Sequence, residues 1–280
     1  MNDILQDFST PAVERAIEEN SFALFSLLIG SLSQAEVHDE PEMLWTTTHI
    51  PYPLFNVVLR AQLSHETVDA AIETAIARYK ARNVPMLWWT GPATRPANLG
   101  KSLEAHGLTQ AGNDPGMSVD IQSLPANIPA PPGLTIDQVK DIETLKKWLG
   151  VFAVGFGLKD FVVDTFFSIF ARIGFGAGLP FYNYIGWLES EPVATVSLLM
   201  GAGVAGIYSV ATVPDARRKG IGAAMTFKAL AESRLKGYRV GILQASEMGA
   251  SVYRKLGFRE YCKIDQYKWA PEPAGRVGFG

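Results

Sequence analysis

Short apolar or alternating runs along this chain predict strands, and apolar residues spaced three and four apart predict helices. Residues 1–34 read as helical. Thr10-Pro11 fits a helix start, and Val13, Ala16, Ile17, Phe22, Phe25, Leu27 and Leu28 supply the apolar stripe. Residues 38–53 read as turn and strand. Phe55–Leu63 reads as a strand, and Ser64–Thr67 then opens a helix carrying Val68, Ile72, Ala75, Ile76 and Tyr79. Pro85–Trp89 reads as a short buried strand, Asn98–His106 as a helix stopping at Gly107, and Met117–Ile121 as a further strand.

Leu124–Gly133 holds four prolines in ten residues and predicts a stiff, extended linker. The expected division is therefore 1–123, a linker over 124–133, a second domain over 134–270, and a flexible Pro/Gly-rich tail over 271–280. In the second domain Leu134–Val139 predicts a strand and Ile142–Phe152 an amphipathic helix. Phe161–Phe170 predicts an aromatic-rich helix, whose Phe166, Phe167 and Phe170 read as core. Phe181–Glu189 and Pro192–Leu199 read as a hairpin, followed by a central strand, Gly206–Thr212.

The rhythm breaks most sharply after that strand. Val213-Pro214 ends it, since proline removes a ladder donor. A basic, glycine-bearing turn follows, Arg217-Arg218-Lys219-Gly220-Ile221-Gly222, and then a helical run, Ala223–Lys236, closed by Gly237. Strand, glycine turn and helix start together make an anion site. The first N–H groups of a helix lack internal partners, and the helix dipole places partial positive charge there. Gly220 and Gly222 let a diphosphate approach the backbone, and three cations add charge. The pattern is neither GxGxxG nor a Walker A loop.

The turn reads R-x-x-G-x-G and resembles the pyrophosphate loop of the GNAT superfamily of acyl-CoA-dependent N-acyltransferases. Downstream, Val240–Ala245 reads as a buried strand. Gly249–Phe258, with Tyr253 before Leu256-Gly257-Phe258, is similar to that family's second signature. The resemblance covers about Ile207–Phe258. It implies an α/β (α+β) fold, a mixed twisted sheet flanked by helices, and acetyl-CoA as cosubstrate. By the same resemblance the amides of Arg218, Lys219, Gly220, Ile221, Gly222 and Ala223 take the diphosphate, beside Arg217. Ala211, Thr212 and Val213 meet the pantetheine arm. Tyr253 donates a proton to the departing sulfur. Ser246 stands where many members carry an asparagine that bonds the arm.

The general base is the least determined element. Members with a carboxylate base often place it near the start of the central strand, here near Gly206, where no carboxylate occurs. Glu189, Glu191 and Glu247 remain as carboxylate candidates, and Tyr208 acting through a water as another; a bare water chain is equally open.

The order strand, helix, strand, helix, strand recurs in Phe55–Ile121. That half reads as a degenerate copy of the same half-fold, or as an unrelated α/β domain. Its first turn, LSHETV, has no glycine or basic cluster and should hold no diphosphate.

Composition narrows the functional classes. The chain has 280 residues, 48% hydrophobic and 19% charged, with a net charge of −3, which disfavours nucleic acid as the main partner. One cysteine, Cys262, excludes an internal disulfide and fits a cytoplasmic setting. No Cys/His cluster suggests a metal, and no run suits a bilayer. The expectation is an N-acetyltransferase acting on a primary amine of a small molecule or peptide. The alternatives are a non-catalytic acyl-CoA-binding module and an enzyme for longer acyl chains. A homodimer is left open.

Overall fold

The computed structural model describes residues 3–272. In chain order its elements are α1 (Thr10–Gly30), β1 (Glu36–Asp39), β2 (Leu44–Thr47), β3 (Val57–Leu59), α2 (Val68–Ala81), β4 (Met86–Thr90), α3 (Leu99–Ala105) and β5 (Thr109–Asp120). They continue with β6 (Leu134–Gln138), α4 (Ile142–Phe156), α5 (Asp160–Ile173), β7 (Phe181–Leu188), β8 (Glu191–Gly201) and β9 (Val204–Thr212). The last are α6 (Ile221–Leu235), β10 (Val240–Gln244), α7 (Glu247–Lys255) and β11 (Arg259–Trp269). The mixed α/β class expected from the sequence is the one observed. The expected start of the first helix moves to Thr10. The expected tail from residue 273 onward, like residues 1–2, lies outside the described residues.

The described chain divides into two compact units, and neither is a continuous half of it. Residues 3–32 and 114–263 form one; 33–113 and 264–272 form the other. The division therefore departs from the linker expected at 124–133, which runs inside the first unit. The physical reason is a ladder. Asp120, Val119, Ser118, Met117 and Gly116 of β5 pair antiparallel with Val240, Gly241, Ile242, Leu243 and Gln244 of β10.

In the first unit the strand order is β11-β5-β10-β9-β8-β7-β6. The pairs from β6 to β9 are antiparallel. The β7–β8 hairpin turns on Glu189 and Ser190, with φ of 51° and 71°, the left-handed pair that a tight hairpin needs. Only β9 and β10 run parallel, and they pair at just two points, Ala205↔Gly241 and Ile207's neighbour Gly206↔Ile242. Beyond them the strands part. On one face of this pair Gly241 meets Leu230 of α6; on the other Gly206 meets Asn20 of α1. α6 and α1 thus cover opposite faces.

The α6 side carries a core of Ala205, Ile207, Met225, Leu230, Leu243 and Phe258. On α4 and α5, Trp148, Phe152, Phe166 and Phe170 stack and edge against one another, and Phe170 stacks on Phe181 of β7. Burial of these rings supplies most of what holds the two helices down. Phe166 and Phe170 are buried core residues, while Phe167 is half-buried.

In the second unit the order is β1-β2-β3-β4-β11. β3 and β4 are parallel, joined through α2. Trp88, Ile72, Leu99 and Leu103 are fully buried, and the Tyr79 hydroxyl donates to the Thr46 and Val57 carbonyls at 2.9 and 3.2 Å.

Candidate functional site

The turn between β9 and α6 is built from its amides. Val213 opens it: its N–H donates to the Val193 carbonyl at 2.9 Å, and its carbonyl accepts from Ala216 N–H at 3.0 Å. Both groups serve the fold. The Val213 N–H is thus turned to β8, as is the backbone of Ala211, which pairs with Thr195, whereas the backbone of Thr212 faces away from β8. Arg217 folds back, its Nε donating to the Thr212 carbonyl at 3.0 Å. Arg218 then takes a left-handed φ of 61°, and Gly220 one of 80°. Helical bonding begins with Ala224 N–H donating to the Gly220 carbonyl.

Between those points lie the amides of Arg218, Lys219, Gly220, Ile221, Gly222 and Ala223. Among the described residues none of them donates a hydrogen bond. The helix has no side-chain cap, since Gly220 occupies the cap position. Arg217, Arg218 and Lys219 are exposed around them. A row of unpaired donors at a helix start, ringed by cations, is a concave positive site for an anion. A Cβ on Gly222 would find nothing nearer than the Thr212 hydroxyl at 3.9 Å, so the approach to these amides is open.

Tyr253 stands on α7, buried, its ring edge-on to Phe258 at 5.8 Å. Its hydroxyl makes no hydrogen bond to a described residue, and burial pushes its pKa up to about 12. It is therefore protonated at neutral pH. Ser246 caps α7, its hydroxyl oxygen accepting from Gly249 N–H at 3.2 Å. The hydroxyl proton is still free to donate.

On the opposite face β9 carries a bulge. Thr195 pairs with Ala211 and Ser197 with Tyr208, so β9 holds one extra residue. Ser209, with φ of 52°, marks it, and its carbonyl accepts from the Thr195 hydroxyl at 2.7 Å. Tyr208 follows Gly206 on the face toward α1. Its hydroxyl donates to Asn20 Oδ1 at 2.7 Å, and burial raises its pKa strongly. A phenol held protonated and spending its proton this way is poorly suited to be a base. The place where a carboxylate was sought, Gly206, is occupied instead by α1: a Cβ there would overlap the Asn20 carboxamide oxygen.

Glu189 does not reach this region. It is exposed in the β7–β8 turn. Tyr208 lies level with Ser197, six residues along β8 from Glu191, or roughly 20 Å at about 3.3 Å per residue. A shallow pocket walled by Gln138, Val139, Phe170, Ile173 and Phe181 lies on the outer strands; it includes neither the turn nor Tyr253. The structure joins the turn amides to the opening strand pair through β9, sets Tyr253 on α7 after β10, and leaves Glu189 in the β7–β8 turn. The sequence reading missed Asn20, Ser21 and Gln244, which form a polar cluster at the opening. The signal for Asn20 and Ser21 was polar residues on an otherwise apolar helical face, and for Gln244 a polar residue closing an apolar strand.

Among the described residues no group of three His, Cys, Asp or Glu side chains is placed to hold a metal, and no helix is long and apolar enough to cross a membrane.

A parallel strand pair that opens beside a cationic turn of unpaired amides suits a ligand with a diphosphate and an extended arm. Residues 202–261 match the family described as "Acetyltransferase (GNAT) domain". Over that segment the chain is similar to GNAT acetyltransferase domains. Its fold is shared with a GCN5-related N-acetyltransferase from Kribbella flavida, 18% identical, with a TM-score of 0.69 over 92% of this chain and 96% of that one. A GCN5-related N-acetyltransferase from Sphaerobacter thermophilus is 15% identical, with a TM-score of 0.63 over 93% and 92%. A tandem GNAT protein from the clavulanic acid biosynthesis pathway is 13% identical, with a TM-score of 0.57 over 97% and 98%. No curated protein matches the chain in sequence.

Proposed function

We propose that this protein transfers the acetyl group of acetyl-CoA directly to a primary amine of a small molecule or peptide. The observation that carries the reading is the run of unpaired amides from Arg218 to Ala223. They take the diphosphate, with Arg217, Arg218 and Lys219 around it, and the pantetheine arm then follows the backbone at Thr212 into the opening between β9 and β10. The amine lone pair forms the new N–C bond, and the C–S bond breaks with its electron pair on sulfur. Tyr253 gives that sulfur a proton, and the proton shed by nitrogen returns through solvent. Holding both reactants in one cleft supplies the proximity term, and the buried hydroxyl supplies the acid.

The half containing β3, α2, β4 and α3 is, in this reading, a degenerate copy without cofactor. Its equivalent turn uses its own amides. Ser64 N–H donates to the Thr67 hydroxyl, Glu66 N–H to the Ser64 hydroxyl, and both Thr67 and Val68 N–H to the Ser64 carbonyl.

The test is amine-dependent release of free CoA, followed as thiol, across a panel of primary amines. Release that saturates with one amine class supports the reading. Tight acetyl-CoA binding with no release for any class would instead make the protein a binding module.

A further inference from the structure

We propose that Gln244, held in place by Ser21 of α1, is the residue that receives and orients the acceptor amine; this rests on the acetyl-transfer reading above. Gly206 and Ile242 are the last paired residues of β9 and β10 and face α1. Two residues further on the same face come Tyr208 and Gln244, one on each side of the gap. They are the first side chains an amine meets there on its way to a thioester laid between the strands.

Proton accounting then fixes which atoms face the gap. The Ser21 hydroxyl donates to the Ile17 carbonyl at 2.9 Å. It has one proton, so toward Gln244 it must accept, and Gln244 Nε2 donates to it at 2.6 Å. Asn20 is fixed likewise: its Nδ2 donates to the Gly201 carbonyl at 2.8 Å, which leaves Oδ1 for the Tyr208 proton. The phenol is thereby spent. The Gln244 amide, half-exposed, is left with Oε1 turned away from Ser21 and with no hydrogen-bond donor among the described residues.

A neutral carboxamide oxygen in that position accepts one N–H of an uncharged primary amine and leaves the nitrogen lone pair free. It does not require a carboxylate on the acceptor's path. Gln244 touches the substrate; Ser21 acts through it as a positioning residue. Helix α1, far from the turn in sequence, is in this account part of the acceptor site.

The experiment uses the full chain and hydroxylamine, a nucleophile small enough to enter any acceptor site, and reads acetohydroxamate formation from acetyl-CoA. Calorimetry with acetyl-CoA is run on every variant. Gln244→Leu is expected to lower kcat/KM for hydroxylamine by about tenfold, the loss of one such hydrogen bond, with the acetyl-CoA Kd within about twofold of wild type. Ser21→Ala, which frees the amide to turn, is expected to raise the hydroxylamine KM with little change in kcat. Gln244→Glu should restore turnover with a new dependence on pH, rising as its carboxylate ionises, which a packing role would not produce. With acetyl-CoA bound, a Gln244→Leu protein as fast as wild type, or wild type no faster than buffer, overturns the assignment of Gln244. Failure of wild type to take up acetyl-CoA overturns the transferase reading itself.

Discussion

Three side chains show how placement sets chemistry. Tyr253 has a buried ring and a hydroxyl that is protonated at neutral pH. Tyr253→Phe keeps the ring and removes the hydroxyl proposed as the acid. It is expected to lower kcat for amine acetylation by about tenfold to a hundredfold while acetyl-CoA binds unchanged in calorimetry. Cys262 is the counter-example: burial first, then the charges of Glu18 and Glu14, push its thiol up to about 12. At pH 8 it holds almost no thiolate, so Ellman's reagent should label the native protein far more slowly than the unfolded chain. Gly206 is set by crowding. Gly206→Ala drives a methyl into Asn20 and Tyr208 and is expected to destabilise the fold by about 1–3 kcal/mol, read from denaturant midpoints.

Among the elements, the β9–turn–α6 unit separates folding from binding. Gly220 holds a φ of 80°, and a Cβ there meets nothing within 4 Å, so any cost of Gly220→Ala is backbone strain alone. That strain is about 1–2 kcal/mol, a few degrees in a thermal melt of a domain this size. This unit was also the most legible part of the chain. Its proline stop, basic run, paired glycines and the Tyr253 helix are all local signals, and the GNAT fold followed from them. The pairing of the Val213 N–H with Val193 depends on how β9 lies against β8, which no local pattern records. Glu189 was proposed on residue type; its distance from the strand opening follows only from the β7–β9 register.

At the scale of the whole chain, what the sequence hid is long-range pairing. The proline-rich segment at 124–133 reads as a boundary, yet β5 before it pairs with β10 more than a hundred residues later. The same distance conceals Asn20 and Ser21, whose partners Tyr208 and Gln244 lie 188 and 223 residues away. Two expectations belong at this scale. Because the Ser64–Thr67 turn satisfies its own amides, acetyl-CoA should bind with a stoichiometry of one per chain. Alkaline stability should also fall in a defined window. The hydroxyls of Tyr79, Tyr184, Tyr208 and Tyr253 are all raised from the ordinary 10.0 by burial. Above about pH 10 the unfolded chain releases these protons and the folded chain keeps them. Stability is therefore intact below that pH and declines as it rises, about 1.4 kcal/mol per group per unit, visible as an alkaline fall in the melting temperature.

The most direct measurement is calorimetric titration of acetyl-CoA into the wild-type protein and into Gly222→Val. The valine has room in the unliganded fold, since the nearest atom to its Cβ lies 3.9 Å away, but it stands over the amides that must meet the diphosphate. The account predicts saturable uptake by wild type and a loss of about a hundredfold or more in affinity for the variant, with both proteins melting alike. Equal affinity in the two, or no uptake by wild type, would contradict it.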